Sequence, residues 1–200
     1  MVLAVLLGVL AVAGAEVVAR NTRYDPVKAA AAKRKLFLAQ WKPPYWYGTE
    51  APRFELPNSQ GAHIDLSKFR GKPTVLALYS DDARSRTFAR EFQKIWEHIG
   101  RSELNSVAVV DFPPERAAGF IRETGDRSHY LFDSPEKRTI HQLYRTAPGP
   151  NIWLIGARGK VVYATPPIDT DGVPEPELEA LYHALRGEIS AHHASADGNR

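Results

Sequence analysis

Residues 74–79 read Thr-Val-Leu-Ala-Leu-Tyr, and residues 84–99 read Arg-Ser-Arg-Thr-Phe-Ala-Arg-Glu-Phe-Gln-Lys-Ile-Trp-Glu-His-Ile. The first run is apolar almost throughout and follows Gly-Lys-Pro, which is typical of a strand buried inside a sheet. The second run places large apolar side chains on one helical face, which predicts an amphipathic helix packed on that sheet. These apolar side chains are Phe88, Phe92, Ile95, Trp96 and Ile99.

The alternation of strands and helices continues on both sides of this unit. Short strands at 54–56 and 63–66 flank a turn at 57–61 and predict a hairpin, followed by a helical turn at 66–70. Downstream we predict strands at 106–111, 130–132, 152–155 and 160–164, and helices at 114–123, 135–144 and 174–189. The order predicts a three-layer α/β/α sandwich over residues 51–189. Residues 190–200 are small and polar, so we expect a disordered tail.

The chain has 200 residues and no cysteine. This excludes disulfides, thiolate metal sites and every reaction that needs a cysteine nucleophile. Its seven histidines do not form a metal-ligand spacing such as His-Glu-x-x-His, and no glycine-rich phosphate loop is present. We therefore expect no metal and no cofactor.

Residues 1–19 are apolar apart from Glu16, a length at the lower limit for crossing a bilayer. We predict an N-terminal membrane helix that is retained as a single-pass anchor. The alternative is a cleaved signal peptide, because Ala13-Gly14-Ala15 suits a cleavage site, but no Lys or Arg precedes the apolar run.

Residues 20–50 form a basic aromatic juxtamembrane segment, with seven Lys or Arg and one Asp between positions 20 and 42. This mixture suits a lipid headgroup interface or a protein partner, while a linker whose aromatic rings pack on the next domain is an equal alternative. The predicted contact residues are Lys33, Arg34, Lys35, Trp41, Tyr45, Trp46 and Tyr47. Confinement of the basic residues to one short segment argues against nucleic-acid binding. The same charge bias favours a cytoplasmic soluble domain.

Three stretches resemble the redoxin group, meaning the alkyl hydroperoxide reductase and thiol-specific antioxidant superfamily with its membrane-anchored thiol-disulfide oxidoreductase relatives. They are Ala-Pro-Arg-Phe-Glu-Leu at 51–56 with Leu-Ser-Lys-Phe-Arg-Gly-Lys-Pro at 66–73, Val-Leu-Ala-Leu-Tyr at 75–79, and Gly-Pro-Asn-Ile-Trp-Leu-Ile at 149–155 followed by Arg-Gly-Lys-Val-Val-Tyr at 158–163. The resemblance implies a thioredoxin-like fold. It also favours an extracytoplasmic soluble domain, in conflict with the charge bias.

The resemblance further implies where an active site would lie. In active relatives, reactive cysteines occupy the junction of strand and helix, and the matching residues here are Ala83, Arg84, Ser85 and Arg86. Ala83 has no reactive atom, Arg86 is a permanent cation, and Ser85 has no evident partner base. The loop Gly149-Pro150-Asn151 is similar to the family's proline loop, in which the proline is cis.

Asp81 and Asp82 precede the helix, where aspartate caps free N–H groups, although paired carboxylates can also act as acid and base.

From the missing cysteines and the N-terminal segments we predict a membrane-tethered, redox-inactive thioredoxin-like protein that is not an enzyme and acts as a binding or accessory subunit of a membrane complex. Two alternatives stay open. One is a non-thiol enzyme that uses Asp81, Asp82 or Ser85, and the other is a peptide-binding, chaperone-like module that uses the Pro150 loop.

Overall fold

A mixed five-stranded sheet organises the domain. The computed structural model describes residues 48–146, 149–165 and 175–197. The strands follow the order β5-β4-β3-β6-β7, with β3, β4 and β5 parallel and β6 and β7 each antiparallel to the previous neighbour. Their bounds are β3 Thr74–Tyr79, β4 Asn105–Val110, β5 His129–Phe132, β6 Asn151–Ile155 and β7 Val161–Ala164. All six residues of β3 are buried, as a strand covered on both faces requires.

A separate hairpin precedes the sheet. It consists of β1 (Glu55–Pro57) and β2 (His63–Asp65), joined through a turn in which the Asn58 side chain accepts hydrogen bonds from the N–H groups of Gln60 and Ala62. A 3₁₀ helix at Leu66–Phe69 follows, capped by the Asp65 carboxylate. Asn58 also forms an isolated bridge with Leu131, so the hairpin lies against the outer edge of β5.

Three helices cover one face of the sheet: α1 (Ala83–Ile99), α2 (Pro114–Thr124) and the last helix, α4 (Glu175–Asp197). The predicted stripe on α1 is confirmed, because Phe88, Phe92 and Trp96 are buried in the core and Ile95 and Ile99 pack against it. Alternate residues of β3 face this layer, namely Val75, Ala77 and Tyr79. The alternation follows from the two-residue period of a strand.

A thinner layer covers the opposite face. Helix α3 (Thr139–Leu143) contributes Ile140, and Tyr144 directly after it packs edge-on against Trp153 of β6 with ring centroids 5.2 Å apart. The Tyr144 hydroxyl donates to the carbonyl of Pro52 at 2.9 Å, and burial raises the pKa of Tyr144 above its ordinary value. With helices on both faces of a mixed sheet, the predicted α/β fold is confirmed.

Two predicted boundaries are wrong. The helix expected at 135–144 begins only at Thr139, because Arg138 adopts a left-handed conformation (φ 45°) and the Asp133 carboxylate accepts the N–H of Ile140. The tail expected to be disordered from Ser190 instead continues α4 to Asp197. Alanine, the strongest helix former, supplies much of this extension, and the His193 Nε2 lies 2.8 Å from the Glu103 carboxylate.

The N-terminal segments lie outside the described residues. This applies to the predicted anchor at 1–19 and to the predicted contact residues between Lys33 and Tyr47. Among the described helices, none combines the length and hydrophobicity needed to cross a membrane.

Candidate functional site

The junction of β3 and α1 lies at one end of the sheet, next to the loop before β6. We call the residues Ser80–Arg86 and Gly149–Asn151 the α1 pole. β3 and β6 pair through Leu78 and Asn151, so the end of one strand meets the start of the other. The structure therefore brings together the two segments that the sequence proposed as degenerate site and proline loop.

Asp82 is the N-cap of α1. Its carboxylate accepts the N–H of Ser85 at 2.7 Å from an extended backbone conformation, and the Arg84 guanidinium lies 3.6 Å from its other oxygen. The geometry is that of a capping aspartate, which satisfies a free N–H and complements the helix dipole. The structure thus confirms the capping role that the sequence favoured for Asp82.

The positions matching the family's cysteines hold no reactive group. Ala83 presents a methyl group to solvent, whereas Ser85 is fully buried. The Ser85 hydroxyl accepts the N–H of Ser80 at 3.1 Å. A buried hydroxyl that stabilises the preceding loop is a structural residue, and no substrate can reach it.

Arg86 joins α1 to α2. Its guanidinium binds the Asp81 carboxylate at 2.5 Å and the Glu123 carboxylate at 2.8 Å, and it lies 5.6 Å above the centre of the Phe120 ring. Arg116 holds the second oxygen of Asp81 at 2.9 Å. Partly exposed pairs of this kind contribute little free energy, about 0–1 kcal/mol each, but they fix the positions of the side chains.

The ion pairs also fix charge states. The hydrogen bond from Arg86, supported by that from Arg116, lowers the pKa of Asp81, and the hydrogen bond to Asp81 raises the pKa of Arg86. Asp81 therefore stays ionised through the physiological range. A carboxylate held in this way is a poor general acid or base, which weakens the hypothesis of a non-thiol enzyme.

The proline loop differs from the expectation in one respect. The described residues contain no cis peptide bond, so the expectation of a cis Pro150 is wrong. Gly149 adopts φ +117°, a conformation that glycine reaches freely, and makes the turn before β6 with a trans bond. Its N–H donates to the Ser80 hydroxyl at 3.2 Å, and the Asn151 side chain donates to its carbonyl at 2.9 Å.

Arg84 lies over this loop. A Cβ atom added at Gly149 would be 3.5 Å from the Arg84 Nη2. The guanidinium thus lies between the start of α1 and the loop. Of the four degenerate positions, Arg84 and Arg86 are the two that present charge at the α1 pole.

Sequence reasoning missed a buried polar cluster beneath the pole. The Asp111 side chain is only 6% exposed, and its Oδ2 accepts the Ser80 hydroxyl at 3.1 Å. The Arg138 Nε lies 3.3 Å from the same oxygen and the His141 Nε2 lies 4.0 Å from it. The one available signal was that Asp111 directly follows β4, since the carboxyl ends of parallel strands meet at one edge.

This cluster joins three loops and does not form a nucleophile with its base. The Ser80 hydroxyl is bound to a carboxylate, while the other ring nitrogen of His141 contacts the Thr146 hydroxyl at 2.9 Å. An activated serine needs an adjacent base, usually an imidazole. Over the described ranges, no three His, Asp or Glu side chains are placed to hold a metal ion.

Solved structures share this architecture. A protein from Chlorobium tepidum, described as a thiol:disulfide interchange protein DsbE, matches with a TM-score of 0.60 at 23% identity, covering 72% of this chain and 97% of its own. A thiol peroxidase from Chromobacterium violaceum matches with a TM-score of 0.58 at 19% identity, covering 73% and 88%. A secreted disulfide oxidoreductase from Mycobacterium tuberculosis gives 0.55 at 15% identity, covering 67% and 95%. At these identities the likeness establishes the fold alone.

The family is established by sequence. The profile of the AhpC/TSA family matches residues 47–164, which is more than half of the 200-residue chain. No curated protein matches the chain. The chain therefore belongs to the AhpC/TSA family, as a member without any cysteine.

Proposed function

We propose that this protein is a membrane-tethered, redox-inactive thioredoxin-like protein that acts as a binding or accessory subunit of a membrane complex. The observation that carries the proposal is the content of the α1 pole, where Ala83 and Arg86 stand at the positions of the family's cysteines. Arg86 is committed to two carboxylates and to the Phe120 ring. The position that matches a cysteine of the family thus holds a charge fixed by its neighbours.

The surface of the pole suits contact with another protein. It presents both signs of charge on side chains held by their neighbours, and Arg116 beside it remains 66% exposed. Ordered charges of both signs favour recognition of one partner over others, because a mismatched partner would place like charges together. Preorganised side chains also lose little conformational entropy on binding.

The membrane half of the proposal rests on residues 1–50. The apolar run at 1–19 and the basic aromatic segment at 20–50 support a tether next to the lipid surface. A tether raises the effective concentration of the domain near a membrane complex, so a weak contact at the pole would suffice.

Co-purification tests the binding role. The full chain, tagged at its C-terminus, is extracted in mild detergent and its bound proteins are quantified. A double variant with Arg84→Glu and Arg116→Glu reverses charge at the pole, and Arg90→Glu with Arg122→Glu makes the same change at other exposed positions of α1 and α2. We expect the first pair to lower recovery of a stable partner by about tenfold or more and the second pair to leave it unchanged. Recovery of the wild-type chain as a monomer alone throughout would contradict the proposal.

The tether has its own test. We expect the full chain to remain in the membrane pellet after alkaline carbonate washing, and a chain without residues 1–19 to lose that attachment. Protease accessibility of the domain in intact spheroplasts decides between the cytoplasmic side, favoured by charge bias, and the extracytoplasmic side, favoured by family resemblance. Attachment that survives removal of 1–19 unchanged would assign the membrane contact to another segment.

A peptide-binding role for the Pro150 loop is the second candidate. The position of Arg84 beside Gly149 favours an acidic peptide at this loop, because the guanidinium lies next to the backbone that precedes β6. Peptide-array binding that is unchanged by Pro150→Ala and by Arg84→Gln would count against it.

A further inference from the structure

A groove lies on the far side of α2 from the ion-paired Arg86. It is bounded by the β1–β2 hairpin, the edge strand β5 and helix α2, and it has a volume of about 600 Å³. We call it the β5 groove. Small-molecule sites occupy about 300–1,000 Å³, so the groove has the size of a ligand site. None of the residues of the α1 pole lines it.

Apolar side chains form part of the floor and walls of the β5 groove. Phe69 comes from the 3₁₀ helix, Ile121 and Ala118 from α2, and Phe132 from β5. Phe69, Ile121 and Phe132 are only half-buried and Ala118 is exposed, so these side chains leave apolar surface open to the groove. Covering such surface with an apolar ligand is favourable, because apolar area is removed from water.

The groove contains one cationic side chain. Lys68 lines it together with His129, and no Asp or Glu does. Lys68 is exposed. The His129 ring lies 5.5 Å from the Phe69 ring, which places a polar edge beside the apolar wall.

Three other polar side chains of the groove are bound within the protein, whereas the exposed Ser59 and Gln60 also line it. The Asn58 side-chain oxygen accepts two N–H groups of its own turn. The Ser128 hydroxyl and the Tyr130 hydroxyl both bind the buried Asp126 carboxylate, at 2.6 Å and 3.0 Å. Lys68 is the cationic side chain of the groove, and the His129 ring beside it can form a hydrogen bond to a ligand.

We propose that the β5 groove binds a small amphipathic organic anion. A flat apolar body lies against Phe69, Ile121 and Phe132, and its carboxylate or sulfonate faces Lys68 and His129. Charge complementarity selects an anion over a neutral molecule of the same shape, and the apolar walls select an organic anion over phosphate or sulfate. This site is separate from the α1 pole and does not depend on the function proposed there.

Naphthalene-2-carboxylate and its uncharged match, 2-naphthylmethanol, test the two halves of the proposal. Both are titrated by calorimetry into the full chain in detergent, with titrations into detergent alone subtracted. We expect the carboxylate to bind one site with a Kd about tenfold or more below that of the alcohol. Lys68→Gln should reduce this ratio to near one, whereas Lys94→Gln, on the exposed surface of α1, should preserve it.

A steric variant locates the site. Ala118→Trp places a large ring in the groove from the exposed side of α2, and we expect it to abolish binding of both compounds. Ala194→Trp, at an exposed position of α4, is the matched control and should bind both as the wild type does. Urea unfolding of each variant verifies that it is folded.

Three outcomes with the two naphthalene compounds would overturn the proposal. These are no binding of the carboxylate up to about 5 mM, well above the range of specific ligands, binding that Ala118→Trp leaves unchanged, and equal affinity for the carboxylate and the alcohol. Binding of an acidic, phenylalanine-rich hexapeptide without binding of the carboxylate would likewise overturn it, because the groove would then serve a protein partner.

Discussion

The two ends of helix α1 have opposite surroundings. From Phe88 to Trp96 one face is sealed against the sheet and forms part of the main core. From Asp82 to Arg86 the same helix is polar, capped and tied to neighbours by ion pairs. The core contacts of the helix are therefore made downstream of Ala83 and Arg86, the positions that match the family's cysteines.

The core end should dominate stability. Phe92 is fully buried and stacks near Trp96 at 6.3 Å, so Phe92→Ala removes a large apolar side chain and leaves a cavity. We expect a loss of about 3–5 kcal/mol in the free energy of unfolding, measured by urea denaturation. Arg90→Ala, an exposed change on the same helix, should stay within about 0.5 kcal/mol of the wild type. A loss below about 1 kcal/mol for Phe92→Ala would contradict the comparison.

The cap should matter less than the core. Asp82→Ala removes the acceptor for the Ser85 N–H, and we expect a loss of about 1 kcal/mol by the same measurement. Asp82→Asn retains an acceptor and should recover most of that loss. If Asp82→Ala and the wild type unfold at the same urea concentration, the carboxylate does not cap the helix in solution.

The ion pairs should have the smallest effect, visible mainly as a dependence on pH. The pKa of Asp81 is lowered in the folded state, chiefly by the hydrogen bond from Arg86. The stability that this lowered pKa contributes is fully present above the pKa of the unfolded state, near 3.9, and is lost as the pH falls through the lower pKa of the folded state. We expect Arg86→Gln to change stability at pH 7 by less than about 1 kcal/mol. The Arg86→Gln variant should also lose less stability than the wild type as the pH falls.

Stability of the wild type and of Arg86→Gln should therefore converge at low pH. Arg122→Gln, an exposed arginine of α2, serves as the control and should retain the pH profile of the wild type. Parallel pH profiles for Arg86→Gln and the wild type would show that Arg86 does not lower the pKa of Asp81 in the folded protein.

The elements that local pattern specifies could be predicted from the sequence. Strand β3 is found where its apolar run predicted it, and α1 begins one residue before the predicted start because Asp82 caps it. The capping role of Asp82 could also be predicted, since it depends on a residue only three positions away. In each case the deciding contacts are close in sequence or follow a regular period.

Features that depend on contacts distant in sequence could not be predicted. The acceptor of the Ser80 hydroxyl is 31 positions away, and Arg138 and His141 join the same carboxylate from another loop. The conformation before Pro150 depends on Gly149, whose N–H is held by that same Ser80. The extension of α4 past Ile189 was missed because its composition of small and polar residues suggested disorder, whereas His193 lies beside the Glu103 carboxylate, 90 positions earlier in the chain.

Restoring the lost chemistry tests the central claim, which is that a redoxin scaffold is intact and only its reactive positions have changed. The measurement is made on an Ala83→Cys and Arg86→Cys double variant. Its disulfide content is determined, and its thiol pKa is obtained from the thiolate absorbance at 240 nm. Residues three apart in the first helical turn lie within disulfide distance, and a helix N-terminus lowers a thiol pKa. We expect a disulfide between the two positions and, after reduction, one thiol pKa well below about 8.5. Two unpaired thiols with ordinary pKa values in a folded protein would contradict the account.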